Sequence, residues 1–578
     1  MIEVGKKWTP PAGWPAMSRD SAKAALCAPG MPFEMESVDI EGVPTRVWKN
    51  AMPNLAALVE HTQTFASREF VIFNDERMTY AEWYKAVVAL AHELQALGVA
   101  KGDRLALAMR NLPEWPVAFF AGAVIGAIVV PLNAWWTSEE LVFGMADSGS
   151  KVLICDAERW ARLAPHLTEM PDLKHVLVAR GKGNPPAPAR ALEAVIGDVK
   201  SYATLPGRAL PEVATVPDDA ATIFYTSGTT GKPKGALGSH RNLLTNALSA
   251  GYSAAATVLR RGDPLPDPSV RTALVVVPMF HVTACSAVMI PSIQAGHKMI
   301  FMHKWDTVKA YEIIQTERVN ATGGVPFIAW QLIEHPDREH YDLSSIDTIS
   351  YGGAPSAPEL VAKIHELFGA YPGNGWGMTE TMATVTGHTA EDYLNRPDSC
   401  GPAVPASDLK IMSEDASEEL AIGEVGELWA RGPQIVKGYW NRPEATAETF
   451  VDGWVRTGDL ARLDDEGYCY IVDRAKDMII RGGENIYSSE VENILYEHPA
   501  VTDAALIGIP HQTLGEEPAA VVHLAPGASA TEEEIKAWVG ARLAKFKVPV
   551  RVVFCTNTLP RNANGKILKR ELQSLFQS

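Results

Sequence analysis

One segment limits the possible folds of this chain more than any other: an apolar run that leads directly into a loop of hydroxyl residues, glycines and lysines. The run covers residues 222–225, and the loop is Thr226-Ser227-Gly228-Thr229-Thr230-Gly231-Lys232-Pro233-Lys234. Hydroxyls and bare backbone N–H groups donate to phosphate oxygens, glycine allows close approach, and lysine supplies positive charge. The segment is not a Walker A loop, because Thr226 and Pro233 stand where that motif needs a glycine and a hydroxyl residue. It predicts a strand followed by a phosphate-binding loop of another kind.

The rest of the chain alternates helical and strand patterns, which is typical of α/β proteins with parallel sheets covered by helices. Residues 81–97 have the periodicity of an amphipathic helix that stops at Gly98, and residues 104–109 resemble a buried strand. The apolar stretch 117–132 contains two glycines and a proline, so we interpret it as a buried helix followed by a strand. Residues 181–211, rich in Pro, Gly and Ala, are expected to form a loop or a connection between subdomains.

The length of 578 residues predicts more than one domain. Residues 1–50 are rich in proline and glycine and are expected to form an N-terminal extension. It would pack on a large domain of layered β-sheets covered by helices, residues 51–472. Near residue 473 an apolar run gives way to the charged segment 473–477, and roughly a hundred residues follow, enough for a small domain. We expect this α+β domain, residues 473–578, to be mobile about a hinge near 473–477.

Composition excludes several classes of protein. The net charge of −17 and the pI near 5.4 argue against nucleic-acid binding, which needs a basic face. The six cysteines are far apart and form no short-range motif, as is typical of a reducing compartment. The first residues lack the apolar run of a signal peptide, no stretch suits a transmembrane segment, and the last residues are not the peroxisomal tripeptide. We therefore expect a cytoplasmic protein.

Further motifs follow the loop in a fixed order. They lie at residues 278–281, 351–355, 375–380, 423–428, 456–459, 481–486 and 560–566. Together with the loop they resemble the adenylate-forming superfamily of acyl- and aryl-CoA synthetases, peptide-synthetase adenylation domains and beetle luciferases. The resemblance favours the acyl-CoA synthetase branch. It implies adenylation of a carboxylic acid by ATP with Mg²⁺ as cofactor, followed by transfer of the acyl group to coenzyme A.

Attack of a carboxylate on the α-phosphate of ATP brings two anions together, which costs about 4 kcal/mol at about 4 Å and an effective dielectric constant near 20. The site must therefore supply cations and oriented donors. The resemblance implies that residues 226–234 hold the β- and γ-phosphates. It also implies that Glu380, a hard oxygen ligand, binds Mg²⁺ and that Thr379 contacts the α-phosphate.

The resemblance also implies the nucleoside contacts. Asp459 would accept hydrogen bonds from both ribose hydroxyls, and Arg474 would make a second ribose contact. The adenine site would be lined by Gly352, Gly353 and Ala354 through close backbone approach, and by Trp376, Gly377 and Met378. Trp376 stands where many relatives carry tyrosine, but either ring can stack on adenine. Packing of Trp376 in the core is compatible with this role.

The resemblance implies two roles for the small domain. Lys566 resembles the lysine that bridges the acyl carboxylate and the α-phosphate, and Lys476 occupies the hinge position. After adenylation, a swing about the hinge would withdraw Lys566 and bring Arg481, Gly482, Gly483 and Glu484 to the acyl-adenylate as a channel for pantetheine. Lys545 and Lys547 are candidates for the CoA phosphates, and equally for ordinary surface charges.

The acyl pocket is expected to consist of residues 281–285, 352–354 and 378–386 with Phe327 and Trp330. Within these ranges we single out His281, Val282, Cys285, Gly352 and Met378. The set is apolar or small and offers no carboxylate for an amino acid's ammonium group, which favours a medium- or long-chain fatty acid or an aryl-alkanoic acid. Cys285 stands where several long-chain relatives carry a tryptophan gate, which favours a bulkier acid. His281 is expected to close the pocket, although a histidine packed in the core is the commoner case.

Other functions remain open. A stand-alone adenylating enzyme would load a carrier protein, but no carrier domain follows Ser578 and the pocket lacks an amino-acid anchor. A luciferase-type oxygenase is compatible with the fold. A non-catalytic nucleotide-binding protein is disfavoured by the joint presence of the phosphate loop, Glu380, Asp459 and Lys566. A homodimer is possible, and the sequence leaves the oligomeric state open.

Overall fold

The computed structural model describes residues 8–183, 185–226, 232–266, 269–352, 358–482, 484–525, 527–562 and 565–576. At the N-terminus, the helix Arg19–Leu26 precedes a hairpin of the strands Met35–Ile40 and Val43–Trp48. This segment is fastened to the large domain: the Arg260 guanidinium donates to the carbonyl of Met17 at 3.0 Å. Among the helices of the described ranges, none combines the length and hydropathy needed to cross a bilayer.

The first sheet of the large domain carries the predicted phosphate loop. Its strands are parallel except for the last hairpin, in which Ala220–Tyr225 pairs antiparallel with Gly235–Ser239. In spatial order they are Gly235–Ser239, Ala220–Tyr225, Ile128–Pro131, Arg104–Ala108, Val152–Asp156, His175–Ala179 and Ala189–Ala191.

The second sheet has a parallel interior with an antiparallel strand at each edge. In spatial order its strands are Ala383–Thr389, Tyr371–Met378, Thr348–Gly352, Ala321–Gly324, Thr272–Val275, Lys298–Phe301, Glu69–Phe73 and Glu76–Thr79.

The third sheet is antiparallel and leads to the predicted hinge. Its strands are Gly401–Pro402, Tyr468–Arg474, Trp454–Leu463, Gly426–Arg431 and Asp408–Met412, with Phe450–Val451 paired to Trp454–Leu463.

Helices cover the sheets and separate the first two. Tyr80–Ala96 begins with a capping box between Thr79 and Glu82, and Glu114–Val124 is buried along its whole length. Both pack in one core with residues of the first and second sheets. The other α-helices of the large domain are Leu55–His61, Ser138–Ser148, Ala157–Leu163, Glu193–Ile196, His240–Arg261, Val282–Ala284, Ile290–Ala295, Thr307–Glu317, Pro326–Glu334, Pro358–Phe368, Ala390–Asn395 and Pro443–Thr449.

The C-terminal region forms a smaller α+β unit with its own core. Its strands are Ile479–Arg481, Glu484–Ile486, Val501–His511, Gly515–Leu524 and Arg551–Cys555, and its α-helices are Ser488–Tyr496, Glu532–Gly540 and Lys569–Leu572. The predicted fold class is confirmed: layered sheets covered by helices, with a smaller α+β part at the C-terminus.

For residues 181–211 the loop alternative is wrong. The described part contains the strand Ala189–Ala191, the helix Glu193–Ile196 and the 3₁₀ turn Val199–Thr204. Leu192, Ile196 and Tyr202 are buried in the main core. These apolar residues, spaced between the prolines and glycines, pack the segment against the helix Tyr80–Ala96.

Candidate active site

The candidate site lies where the carboxyl ends of second-sheet strands meet the third sheet and the phosphate-loop hairpin. Thr348–Gly352 and Tyr371–Met378 run parallel, with Gly352 opposite Gly375, and the turn Thr379–Thr381 follows directly. Ligands of open α/β sheets commonly bind at such strand ends. The structure therefore brings the predicted residues 352 and 376–380 to one edge of the sheet.

Close packing of the backbone explains the glycines of this edge. A Cβ atom added to Gly377 would overlap the carbonyl oxygen of Ala383, and one on Gly375 would lie 2.8 Å from the carbonyl oxygen of Thr386. One on Gly352 would lie 3.1 Å from the carbonyl oxygen of Gly375. Side chains are thus excluded here, which leaves a flat surface beside Trp376. The predicted adenine-site residues Gly353 and Ala354 lie outside the described residues.

Trp376, Asp459 and Arg474 form one group that is joined by a hydrogen bond and an ion pair. The Trp376 indole Nε1 donates to Asp459 Oδ2 at 2.8 Å, and Arg474 Nε lies 3.0 Å from Asp459 Oδ1. Asp459 and Arg474 face each other across two strands of the third sheet. Asp459 is only 4% exposed, and its two partners hold the carboxylate in a fixed orientation. The structure brings together three residues that the sequence places up to about a hundred positions apart.

Glu380 lies in a buried turn with a hydroxyl partner. The Tyr439 hydroxyl donates to Glu380 Oε1 at 2.6 Å, and the backbone N–H of Val436 donates to the Glu380 carbonyl at 3.0 Å. Burial raises the pKa of Glu380, while the Tyr439 hydrogen bond and the charges of Arg474 and Lys234 oppose this effect. Sequence reasoning missed Tyr439, because the contact joins positions 59 residues apart and no local pattern connects them.

The backbone after Glu380 is strained. Met382 and Ala383 are not glycines, yet their φ angles are +46° and +96°. Such conformations cost on the order of 1–3 kcal/mol each and persist only where neighbouring groups hold them, often at functional sites. Here the Thr381 hydroxyl donates to the carbonyls of Met378 and Ala383 at 3.1 and 2.7 Å.

The phosphate loop is closed at its base as a hairpin. The Thr226 N–H donates to the Lys234 carbonyl at 2.8 Å, and the Lys234 N–H donates to Thr226 Oγ1 at 3.3 Å. Lys234 Nζ lies 4.8 Å from the centre of the Tyr439 ring, which places this cation beside the partner of Glu380. Lys232 Nζ lies 5.2 Å from the centre of the Phe143 ring. Ser227, Gly228, Thr229, Thr230 and Gly231 lie outside the described residues.

A candidate magnesium ligand is available at Glu380. Within the described residues there is no cluster of three or more His, Cys, Asp or Glu that could hold a metal ion by itself. A single carboxylate beside a phosphate loop fits an ion that is held by one carboxylate and by substrate phosphates, as Mg²⁺ commonly is.

The predicted acyl-pocket segment begins at His281 and contains an unusual turn. His281 caps the helix Val282–Ala284, and its Nδ1 accepts from the Thr283 N–H at 3.2 Å. A π-helical turn, Cys285–Met289, follows, in which the Ile290 N–H donates to the Cys285 carbonyl. Burial lowers the pKa of His281 to about 4. The imidazole is therefore neutral near pH 7.

Cys285, Phe327 and Trp330 occupy different surroundings in the predicted pocket. Cys285 is fully buried, and burial raises the pKa of its thiol. Phe327 and Trp330 are partly buried on the helix Pro326–Glu334, and the Lys363 ammonium lies 4.6 Å from the centre of the Trp330 ring.

Lys566 lies near the group of Trp376, Asp459 and Arg474 in the described arrangement. Burial, followed by the charge of Arg474, lowers the pKa of Lys566 to about 8, while Asp477 and Asp459 act in the opposite direction. The preceding residue, Gly565, packs on the large domain, because an added Cβ would lie 2.6 Å from Val325 Cγ2. The small domain is thus docked with Lys566 toward Asp459.

A buried carboxylate of the small domain shapes the Lys566 loop. Asp503 Oδ1 accepts from Arg561 at 2.6 Å and from the Tyr496 hydroxyl at 2.9 Å. Arg561 also donates to the Gly565 carbonyl at 2.7 Å, and its guanidinium lies 5.5 Å from the centre of the Phe327 ring. The same arginine therefore contacts the lysine loop and a predicted acyl-pocket residue. Neither Arg561 nor Asp503 was predicted as a site residue.

Among the other predicted residues of the small domain, Lys476 lies close enough to Asp459 for that charge to act on its pKa, whereas the rest make no contact with Asp459 within the described residues. Burial lowers the pKa of Lys476, and the adjacent Ala475 N–H donates to the Gly458 carbonyl at 3.0 Å. Arg481 pairs with Glu517 at 3.0 Å, Gly482 has a φ of +59°, and Glu484 is exposed. Lys547 pairs with Glu490 at 2.6 Å. Lys545 begins the short 3₁₀ turn Lys545–Lys547, and Gly483 lies outside the described residues.

Both the large N-terminal part and the C-terminal part of the chain match known protein families. Residues 58–440 match the AMP-binding enzyme family, and residues 490–566 match the C-terminal domain of AMP-binding enzymes. The chain therefore belongs to the AMP-binding enzyme family. A long-chain-fatty-acid–CoA ligase of Bacillus subtilis (strain 168) is 34% identical over 89% of this chain and 93% of its own length. A feruloyl-CoA synthase of an Amycolatopsis species is 37% identical over 86% of this chain and 94% of its own length.

A solved structure agrees with this assignment. The o-succinylbenzoate CoA synthetase of Bacillus subtilis, in complex with its acyl-adenylate intermediate, is 29% identical with a TM-score of 0.74. The match covers 90% of this chain and 98% of that one. The prediction of an AMP-forming enzyme of the acyl-CoA synthetase branch is confirmed.

Proposed function

We propose that this AMP-forming acyl-CoA synthetase activates a hydrophobic carboxylic acid, either a medium- or long-chain fatty acid or an aryl-alkanoic acid. ATP would adenylate the acid, and coenzyme A would then take the acyl group. One observation carries the proposal: the Trp376–Asp459–Arg474 group, the buried Glu380 and the small-domain Lys566 converge on one edge of the second sheet. We also propose a cytoplasmic location, which suits the free thiols of all six cysteines.

The nucleoside of ATP would bind against the flat glycine edge. Trp376 would stack on adenine beside the backbone of Gly352, Gly377 and Met378. Asp459 keeps lone pairs free beyond those used by Trp376 and Arg474, and these can accept hydrogen bonds from the ribose hydroxyls. Arg474 would add a donor to the ribose.

The phosphates would lie between the hairpin loop and Glu380. Lys232, Lys234 and the loop hydroxyls would bind the β- and γ-phosphates, and Thr379 would donate to the α-phosphate. Glu380 would hold Mg²⁺, which, when bound, offsets the negative charge of the phosphates. Tyr439 would orient the Glu380 carboxylate, because its hydroxyl donates to one of the two oxygens.

Lys566 would bring the two reacting anions together. With a pKa of about 8, its amine is mostly protonated at pH 7 and can bridge the acyl carboxylate and the α-phosphate. Burial makes this charge more effective, because little water screens it. The hinge at Lys476 would then let the small domain rotate, withdraw Lys566 and present residues 481–484 to the adenylate. Such gating keeps the reactive adenylate away from water.

For the acid substrate we propose a chemical class. The neutral His281, the buried Cys285 and the aromatic rings of Phe327 and Trp330 suit an apolar acyl group. The relatives are named for a long-chain fatty acid in one case and for a feruloyl group, an aryl-alkenoic acyl group, in the other. This supports a hydrophobic acid without choosing between the two types.

The test is turnover with a panel of acids. Purified protein is incubated with ATP, MgCl₂, CoA and short, medium and long fatty acids, benzoates, cinnamates, phenylacetic acid and arylpropionic acids, and thioesters are detected by mass spectrometry. We expect acid-dependent AMP and a thioester from at least one hydrophobic acid. AMP and pyrophosphate without a thioester would replace CoA by a carrier protein as the acceptor. No AMP with any acid, despite ATP binding, would overturn the proposed activity for this panel.

A further inference from the structure

Asn246 is a buried amide on the long helix His240–Arg261. None of the roles described so far involves it. It is 2% exposed, and its side chain is bonded at both ends. Nδ2 donates to the Met382 carbonyl at 2.8 Å and to Ser286 Oγ at 3.0 Å, and Oδ1 accepts from the Thr384 N–H at 3.1 Å. These partners lie 136, 40 and 138 positions away in the sequence. One side chain therefore joins its own helix to two distant segments of the chain.

Two of these bonds hold the strained turn after Glu380. Met382 and Ala383 both have positive φ angles, and Asn246 bonds the carbonyl of Met382 and the N–H of Thr384, on either side of Ala383. Without these bonds the Met382 carbonyl and the Thr384 N–H would each lose a partner, and the strained conformation would lose this support. The direction of the Glu380 carboxylate, three residues earlier, depends on this turn.

The third bond reaches the π-helical turn Cys285–Met289. Ser286 is fully buried in this turn, directly after Cys285 of the predicted acyl pocket. A π-helical turn departs from regular helix geometry and relies on contacts outside the helix. Asn246 supplies such a contact and ties the acyl-pocket turn to the Glu380 turn.

The opposite side of the Glu380 turn packs on the phosphate hairpin. A Cβ atom on Gly238, in the strand that follows the loop, would overlap the Met382 side chain. Met382 is thus held between the hairpin and Asn246, so the phosphate, metal and acyl segments meet at one buried point.

We propose that Asn246 is a positioning residue that fixes the Glu380 turn and the acyl-pocket turn relative to each other. It would align the acid with the α-phosphate without touching either. This inference rests on the proposed function, since it assigns the two turns to the two reacting partners. Loss of the amide would weaken binding of both partners, whereas loss of Ser286 Oγ would affect the acid alone.

The test compares Asn246→Ala and Ser286→Ala with a matched control, Thr245→Val. Thr245 neighbours Asn246 on the same helix and is equally buried, but its hydroxyl bonds only within the helix, to the Arg241 carbonyl at 2.8 Å. Calorimetric titration with ATP and MgCl₂, in the absence of acid, measures the metal-dependent nucleotide affinity. Pyrophosphate exchange gives KM for the acid and kcat of adenylation, and thermal unfolding reports stability.

For Asn246→Ala we expect ATP affinity to fall about tenfold or more and the KM of the acid to rise about tenfold, as follows from unpaired buried groups. Ser286→Ala should raise only the KM of the acid, by about threefold to tenfold. Thr245→Val should change neither. If Asn246→Ala lowers the unfolding temperature but leaves ATP affinity and the KM at wild-type values, Asn246 is merely structural and the inference is overturned.

If the wild type adenylates no acid, the proposed function fails, but the ATP titrations of Asn246→Ala and Thr245→Val still decide whether the amide positions the Glu380 turn. If Asn246→Ala does not fold, Asn246→Asp keeps the shape and the acceptor and removes the donor. It should still weaken ATP binding, and unchanged binding would contradict the inference.

Discussion

Replacing Lys566 with methionine is expected to strengthen docking of the small domain while it abolishes adenylation. The ordinary lysine pKa of 10.5 falls to about 8 at this position, chiefly because of burial. Since one pKa unit corresponds to about 1.4 kcal/mol, the protonated amine destabilises the docked arrangement by up to about 3 kcal/mol at pH 7. Methionine has similar length and no charge, so the docking equilibrium should shift toward the docked form by up to about a hundredfold.

The pH dependence has a definite sign. A lysine whose pKa is lowered by docking carries the full penalty below about pH 8, and the penalty disappears as the pH rises toward 10.5. The difference in docking between Lys566→Met and the wild type should therefore be largest at pH 7 and small above pH 10. The kcat/KM of adenylation by the wild type should fall as the pH passes about 8, because the bridging cation is lost from the free enzyme.

Docking can be followed by energy transfer between dyes on Cys27 and Cys555, the cysteines that are not buried in the described structure. Pyrophosphate exchange measures adenylation, and CoA attack on a supplied acyl-adenylate measures thiolysis. Lys569→Met is the matched control: burial alone would lower the pKa of Lys569, but Glu492 at 2.8 Å raises it, so docking should gain nothing from this change. Equal docking in Lys566→Met and wild type at pH 7, or equal loss of both half-reactions, would refute the reasoning.

Three further substitutions test the large domain. Asp459→Asn should weaken ATP binding about tenfold or more, measured by calorimetry, because a charge-assisted acceptor is lost. Tyr439→Phe should raise the MgCl₂ concentration that half-saturates pyrophosphate exchange severalfold, because Glu380 loses the hydrogen bond that orients it. Gly377→Ala should lower stability by about 3 kcal/mol or more in thermal unfolding, because its Cβ has no space, whereas Gly207→Ala should be neutral, because nothing lies within 4 Å.

For each of these three substitutions, one result would contradict the expected effect. Asp408→Asn removes a paired surface carboxylate, and an equal loss of ATP affinity there would mean that the effect at Asp459 is not local. An unchanged MgCl₂ requirement in Tyr439→Phe would separate Tyr439 from the metal site. A Gly377→Ala protein as stable as Gly207→Ala would show that the backbone edge can widen.

Periodicity predicted elements of the core. The helix Tyr80–Ala96 and the strand Arg104–Ala108 lie within a residue of their predicted bounds. These elements have strong apolar periodicity or clear caps, so local sequence decides them. The short elements within residues 181–211 were missed, because proline and glycine outweighed a few apolar residues whose partners lie on the distant helix Tyr80–Ala96.

The supporting contacts of the site could not be predicted in the same way. Tyr439 reaches Glu380 across 59 positions, and Asn246 reaches Met382 across 136. No local pattern connects such pairs, and nothing in the residue types of Met382 and Ala383 signals positive φ angles. Sequence names the groups that would meet the ligands, whereas the groups that hold them in place come from tertiary packing.

The contact between Arg561 and Phe327 has a consequence for attempts to broaden the range of acids. The helix Pro326–Glu334 supplies a wall of the proposed acyl pocket, and the residues before Lys566 rest on the same helix and on Val325. A smaller residue at 327 would enlarge the pocket and also remove the surface on which the lysine loop settles. Libraries randomised at 327 should therefore exchange acid range for turnover, whereas Trp330, which contacts Lys363 on the neighbouring helix, offers a position where the two can be tuned separately.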